Sequence, residues 1–303
     1  MNELSRLLQK HRNEFHRVVD FAAAKETICQ FDFTENNAAL GAVGIKNRND
    51  FFQYIQTQLD QSGSKYAIGG YAENRTIYNM DHFTDAKEPR TLHLGIDIWG
   101  EVGTKVYAPI GGMLHSFAFN NKEGDYGATI ILQHQLETIV FHTLYGHVSL
   151  ADLAQLHEGQ YFNRGEVIAH FGEPAENGNW PPHLHFQVIG DMNLKQGDFP
   201  GVCVLSEREK YLTNCPDPDF ILNMMQYLGI KDDGINTLRD IYFFDDIAYH
   251  HQRHHCLCTG CADSTLGTYF CGIGRTRKCR RRARHDLPLG RVPHQSLLGV
   301  IRR

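Results

Sequence analysis

The chain has 303 residues, 42% hydrophobic and 21% charged, which is the composition of a globular protein with ample length for a core. No apolar run approaches the ~20 residues of a membrane-spanning helix. The charged, amphipathic start "MNELSRLLQKHRNEFHRVVDF" lacks the apolar core and cleavage site of a secretory signal, so the expectation is a chain that begins in the cytoplasm.

Residues 2–19 space Leu4, Leu7, Leu8, Phe15 and Val18 at helical intervals, predicting a first helix. A second is predicted over "NRNDFFQYIQTQLDQSG", with Asn47 or Asn49 as cap and Gly63 as terminator. "AIGGYAENRTIY" reads as a Gly-containing connector running into a short strand. From about residue 91 the pattern turns to short β-like runs parted by Gly, Asn and Asp: "HLGIDIW", "KVYAP", "GMLHSFAFN", "ATIILQHQ", "TIVFHTLYGHV", "EVIAHFG" and "HLHFQVIG". That spacing argues for a mainly antiparallel β domain. "NNKEGDYG" reads as a hairpin loop, "SLADLAQLHEG" as a short inserted helix, and "CPDPDFILNMMQYLGI" as a turn and helix closing the domain near residue 229.

The net charge of −5 hides an asymmetry. Residues 250–303 hold 11 of the 30 Lys and Arg with only Asp263 and Asp286 as acids, leaving −14 on the rest. Cys256, Cys258, Cys261, Cys271 and Cys279 crowd the same tail, beside His254 and His255. These residues could supply metal ligands and the Arg run could meet phosphates, but the tail lacks a paired CxxC motif and shows neither helical nor strand period. The reading preferred is a disordered tail or out-of-frame sequence with no assigned function. A nucleic-acid-binding role would rest on this tail alone and conflicts with the charge of the body. Cys29, Cys203 and Cys215 are dispersed and suggest neither a disulfide framework nor a thiol mechanism.

Three clusters carry candidate chemistry. "HLGID" holds His93 and Asp97, four apart. In a straight strand they would lie roughly 13 Å apart, so they can share a metal only if the backbone bends, and Gly95 permits that. "YGHVS" places His147 at a strand end, and "HLH" puts His183 and His185 on one strand face. Three protein ligands with an open position is the arrangement of a catalytic zinc, with two imidazoles left to relay protons. Against this, the chain has 18 histidines, and a single HxH in a strand is more often structural. His142, five residues before His147, is read as facing the other side of its strand. His115, His134 and His170 are read as packing or surface residues, and His157 lacks the second His of HExxH. No GxSxG, phosphate-binding glycine loop or dinucleotide fingerprint is present.

Taken in order, "HLGIDIW", "TLYGHVS" and "GEVIAHFGEPAENGNWPPHLHFQV" resemble the lysostaphin/LytM-type zinc metalloendopeptidases, including the linking segment "GEVIAHFG". The resemblance covers about residues 90–190. It implies a small antiparallel β-sheet fold with a groove over the metal, Zn²⁺ held by His93, Asp97 and His185, and His147 and His183 as catalytic imidazoles. It also implies a peptidoglycan-type peptide as substrate. Relatives bring an upstream Asn or Tyr to the site, and Asn74 and Tyr78 lie in the corresponding region. In "ENGNWPP", Asn177, Asn179 and Trp180 could line the cleft or simply shape the turn.

The expected architecture is α+β: an N-terminal helical region over 1–64, a peptidase domain over 65–229, and the tail over 230–303. The expected activity is zinc-dependent endopeptidase cleavage of cell-wall peptides. The alternative is a catalytically inactive LytM-like module that binds or regulates other cell-wall enzymes. No nucleic-acid partner and no transmembrane segment are expected. Since an intact wall lies outside the cytoplasm, extracytoplasmic action is expected to need another route.

Overall fold

The computed structural model describes residues 1–43, 48–77, 88–157 and 159–228. Tyr78 and the Cys/His/Arg-rich tail lie outside the described residues.

The first helix, α1 (Glu3–Lys10), is shorter than the apolar spacing predicts. Asn2 caps it by accepting a hydrogen bond from the Ser5 amide at 2.8 Å, and Leu4 and Leu8, one turn apart, are its buried stripe. A strand the sequence reading did not anticipate follows, β1 (Ile28–Phe31), and then α2 (Ala38–Val43). The helix α3 (Arg48–Ser62) buries Phe51 and Ile55 at i, i+4. It ends where expected, at Gly63, whose φ of 63° is the left-handed conformation of a helix stop. The region 1–64 is thus not purely helical.

Next come β2 (Tyr66–Gly69), β3 (Arg90–His93), β4 (Ile96–Trp99), β5 (Lys105–Tyr107), β6 (Gly112–Asn120), β7 (Gly127–Leu136) and β8 (Ile139–Val148). They are followed by α4 (Leu150–Leu153), β9 (Tyr161–Phe162), β10 (Val167–His170), β11 (His183–Ile189) and β12 (Val202–Val204), then α5 (Arg208–Asn214) and α6 (Asp219–Leu222). In the segment read as connector-then-strand the order is reversed, with β2 first and the connector after it.

Eight strands form one sheet in the order β1-β2-β4-β11-β8-β7-β6-β9. Its pairs are antiparallel except β1 with β2. Two small antiparallel sheets, β10 with β5 and β12 with β3, hold the remaining strands among the described residues. The fold is therefore α+β, dominated by an antiparallel sheet. No helix among the described residues is long and apolar enough to cross a membrane.

The central strands β4, β11 and β8 are buried on both faces. On one face Ile96, Ile98, Leu184, Phe186, Val188 and Tyr145 join the main apolar core. The opposite face carries Asp97, Trp99, His183, His185 and Gln187, because strand alternation turns every second residue outward. This second face is the one that holds polar side chains in register: His185 lies opposite Asp97, and His183 opposite Trp99.

Candidate metal centre

His93 closes β3 and Asp97 lies in β4, and the two strands pair with different partners, β12 and β11. The chain leaves one sheet and enters another between them, which is the bend that Gly95 was expected to allow. Glycine is required here for space: a Cβ at this position would lie 2.6 Å from the His185 ring and 2.8 Å from the Phe186 carbonyl.

The turn brings three donor atoms together. His93 Nε2 lies 3.0 Å from His185 Nδ1 and 3.2 Å from Asp97 Oδ1, and His185 Nδ1 lies 3.0 Å from the same oxygen. All three residues are buried. Each has its other polar atom engaged. His93 Nδ1 donates to the Gly70 carbonyl at 2.9 Å, so Nε2 carries a lone pair. His185 Nε2 faces Gln187 Oε1 at 2.9 Å, and Asp97 Oδ2 accepts from Arg75 at 2.5 Å. Arg75 is itself buried and held by Glu73 at 2.7 Å.

Two imidazole nitrogens and a carboxylate oxygen therefore converge, and with both nitrogens unprotonated the three repel one another unless a cation sits among them. A tetrahedral zinc with bonds of roughly 2.0–2.1 Å separates neighbouring ligands by about 3.3 Å, close to the spacings found. The donor set fits such an ion, and His93, Asp97 and His185 form a group able to hold a metal.

The electrostatics agree. Burial, and then the Arg75 charge, push His93 down to about 4, keeping it neutral and able to ligate. Burial would raise the Asp97 carboxyl, but neighbouring His93 and the permanently charged Arg75 hold it well below the usual range.

The other two predicted site residues meet beside this trio. The His147 and His183 rings lie 4.1 Å apart between centroids, and the opposite side of His183 stacks on Trp99 at 3.9 Å. His147 Nδ1 donates to the Asn177 carbonyl and His183 Nδ1 to the Pro181 carbonyl, both at 2.8 Å. Each ring thus keeps Nε2 for other work. Burial drives His183 down to about 4, and burial with the neighbouring imidazoles drives His147 well below its usual value.

The route by which His147 arrives corrects the strand reading. His142 pairs across β11 with Ile189, and Gly146 with His185, so His142 is on the same face as the candidate ligands, not the opposite one. By simple alternation His147 would point away. It reaches the site because its backbone is left-handed, with φ of 64°, a conformation that costs a non-glycine residue of order 1 kcal/mol or more and clusters at functional sites. His142 instead packs edge-on against His115, 4.9 Å between ring centroids.

His93, Asp97, His147, His183 and His185 line a cavity of about 330 Å³. Its rim carries Arg90, Lys122, Lys195, Asp125 and Asp198, with Trp180 and Phe199 as apolar wall. Trp180 therefore lines the cleft. Asn177 shapes the turn and holds His147: its side chain exchanges hydrogen bonds with the Trp180 backbone at 3.0 and 3.1 Å. Asn179 is exposed, with φ of 63°. Asn74 is also exposed and bridges Leu92; its neighbour Arg75 is the residue that reaches the site. Arg75, Trp99 and Gln187 were not found from the sequence. Gln187, two residues beyond His185 on the same face, was the most accessible of the three to the alternation argument.

A family model described as Peptidase family M23 matches residues 91–196, the segment holding all five histidine and aspartate positions. Among solved structures, a zinc-containing peptidase from Vibrio cholerae is 28% identical, over 32% of this chain and 27% of that chain, with a TM-score of 0.26. The chain therefore spans about a quarter of that relative. The catalytic domain of lysostaphin from Staphylococcus simulans is 21% identical, over 56% of this chain and 96% of that domain, with a TM-score of 0.35. The search of curated proteins gave no match. Residues 91–196 are thus similar to the domain of peptidase family M23, as the three lysostaphin/LytM-type motifs led one to expect.

Proposed function

We propose that the protein is a zinc-dependent metalloendopeptidase acting on peptidoglycan-type peptides. The observation that carries this reading is the convergence of two imidazole nitrogens and one carboxylate oxygen within 3.2 Å, beside two further imidazoles that are not part of the trio.

In this reading His93, Asp97 and His185 hold Zn²⁺. When bound, the ion supplies Lewis acidity toward a carbonyl oxygen and lowers the pKa of water toward neutrality. The remaining work belongs to the chain. Arg75 fixes Asp97 by one oxygen and leaves the other for the metal. His147 and His183, each with Nδ1 committed to a backbone carbonyl, keep Nε2 as a base; the ring that takes the proton of the attacking water can then donate it to the oxyanion or to the leaving amine. Trp99 stacked on His183 and the Asn177 carbonyl bonded to His147 Nδ1 hold the two rings in place. The cleft rim, with charges of both signs and an apolar wall, suits an extended peptide. Because both imidazoles are kept neutral by burial, they begin the reaction as bases, and activity should fall as pH drops through the range where they or the ligands protonate.

A second reading, a LytM-like module that regulates without cleaving, is disfavoured because no ligand-type or base-type residue is missing. Digestion of muropeptides with mass-spectrometric identification of the products, beside a His147→Ala control, distinguishes the two. Cleavage at a defined peptide bond that the control abolishes is the expected result. Zinc-loaded protein that leaves muropeptides and Gly- and Ala-containing peptides intact would favour the regulatory module.

A further inference from the structure

The His185 ring could in principle present either nitrogen to a metal, and nothing in the HxH motif decides which. The choice must be made by whatever holds the opposite edge of the ring. We propose that Gln187 makes it: Gln187 is a positioning residue that locks His185 in the tautomer with hydrogen on Nε2, so that Nδ1 faces Asp97 and His93. This inference rests on the metal-site reading and extends it by one layer.

Gln187 follows His185 by two residues in β11, so the two share a face. It is fully buried. An amide can in general point either way, but here the surroundings decide. Gln187 Nε2 faces the Pro200 carbonyl at 3.2 Å, and a carbonyl can only accept. The same nitrogen donates to Cys215 Sγ at 3.3 Å. The amide nitrogen is therefore committed to that side, and Oε1 is left against His185 Nε2 at 2.9 Å. An acceptor oxygen there requires a proton on Nε2, which strips Nδ1 to a lone pair. That lone pair is the one found 3.0 Å from both Asp97 Oδ1 and His93 Nε2. Partners behind ligating histidines commonly fix tautomer and orientation in this way.

The Tyr126 hydroxyl is the competing neighbour of His185 Nε2, at 3.4 Å. That distance is long for a hydrogen bond to oxygen, so Gln187 carries the role and Tyr126 does not. Cys215 acts through Gln187 rather than on the metal. Burial pushes its thiol up to about 12, so it remains a neutral, weak acceptor.

The test compares Gln187→Leu, Gln187→Glu and Tyr126→Phe in the full chain. Zinc affinity is measured by chelator competition, and the His185 tautomer by ¹⁵N NMR of the zinc-free protein. Leucine removes the acceptor at similar size, and zinc affinity is expected to fall by roughly 10–100-fold, with both tautomers populated. Glutamate keeps an acceptor toward His185, so affinity is expected to recover to within a few-fold and the Nε2–H tautomer to persist. Tyr126→Phe is expected to stay within about twofold. Gln187→Leu with wild-type affinity and an unchanged tautomer overturns the proposal. So does wild-type protein with hydrogen on Nδ1, a result available even if the leucine variant does not fold. Wild-type protein that binds no zinc contradicts the metal-site reading instead, and the tautomer measurement then still decides the part played by Gln187.

Discussion

His134 and the histidines of the cleft are all buried, and what separates them is how their ring nitrogens are used. His134 has both ring nitrogens occupied, Nδ1 by the Gly111 carbonyl at 3.0 Å and Nε2 by the Thr143 hydroxyl at 2.7 Å. The Thr143 hydroxyl in turn bonds the Tyr145 hydroxyl at 2.9 Å, closing a buried chain with nothing left over. His93, His147 and His183 each spend only Nδ1 on a backbone carbonyl, and His185 spends only Nε2 on Gln187. A satisfied histidine is architecture, whereas one with a nitrogen in reserve, beside others of its kind, is chemistry. Counting histidines does not separate these cases. Counting their committed nitrogens does.

The largest effect is expected where a reserved nitrogen is removed. His147→Ala and His183→Ala should each lower peptide hydrolysis by about 10²–10⁴-fold while leaving zinc bound, and His134→Gln should leave hydrolysis nearly unchanged. Steady-state rates on a muropeptide check both sides of the comparison. Comparable losses in all three variants would erase the distinction.

Arg75 tests the ligand end. Its guanidinium joins Glu73 and Asp97 in near-complete burial, and breaking a buried ion pair from one side costs roughly 3–5 kcal/mol. Arg75→Met should therefore lower zinc-free stability by about that amount in urea titrations, with part of the loss recovered on adding zinc, which compensates Asp97 in its place. Equal losses with and without zinc would mean that Arg75 supports the fold and not the ligand.

Gly95→Ala should have a smaller effect. A Cβ 2.6 Å from the His185 ring must displace the ligand or the strand turn, and zinc affinity is expected to drop by about tenfold or more with the circular-dichroism spectrum retained. The smallest effect concerns pH. Burial first, opposed by the Gly111 carbonyl and aided by His142, holds His134 down to about 4 in the fold, against an ordinary value near 6.5. The unfolded chain therefore takes up a proton that the native state refuses, so the stability contribution is complete above about pH 6.5 and is lost as pH falls toward 4. His134→Gln should flatten the slope of stability against pH in that window by at most one proton, about 1.4 kcal/mol per pH unit. An unchanged slope would show that His134 protonates freely in the fold.

Much of the sheet was legible from alternation, because β6, β7, β8 and β11 are long enough to show a period of two. The strands β1, β9 and β12, of four, two and three residues, are too short to display one and gain their strand character from neighbours. Within the site, the pairing of His183 and His185 followed from spacing, and Gly95 announced the bend. The orientation of His147 did not, since a left-handed residue inside a β-like run breaks the alternation on which the inference about His142 depended. Arg75 was hidden for a different reason. A charged residue in a connector ordinarily faces water, and only the tertiary approach of Asp97 and Glu73 makes its burial tolerable.

The central claim is that three of the five residues hold a metal and two do not. Its most direct measurement is zinc content and affinity in single alanine variants of His93, Asp97, His185, His147 and His183. The account predicts one tightly bound zinc per chain in the wild type and in the His147 and His183 variants, and its loss in the other three. Zinc retained after His185→Ala, or lost after His147→Ala with the fold intact, would contradict it.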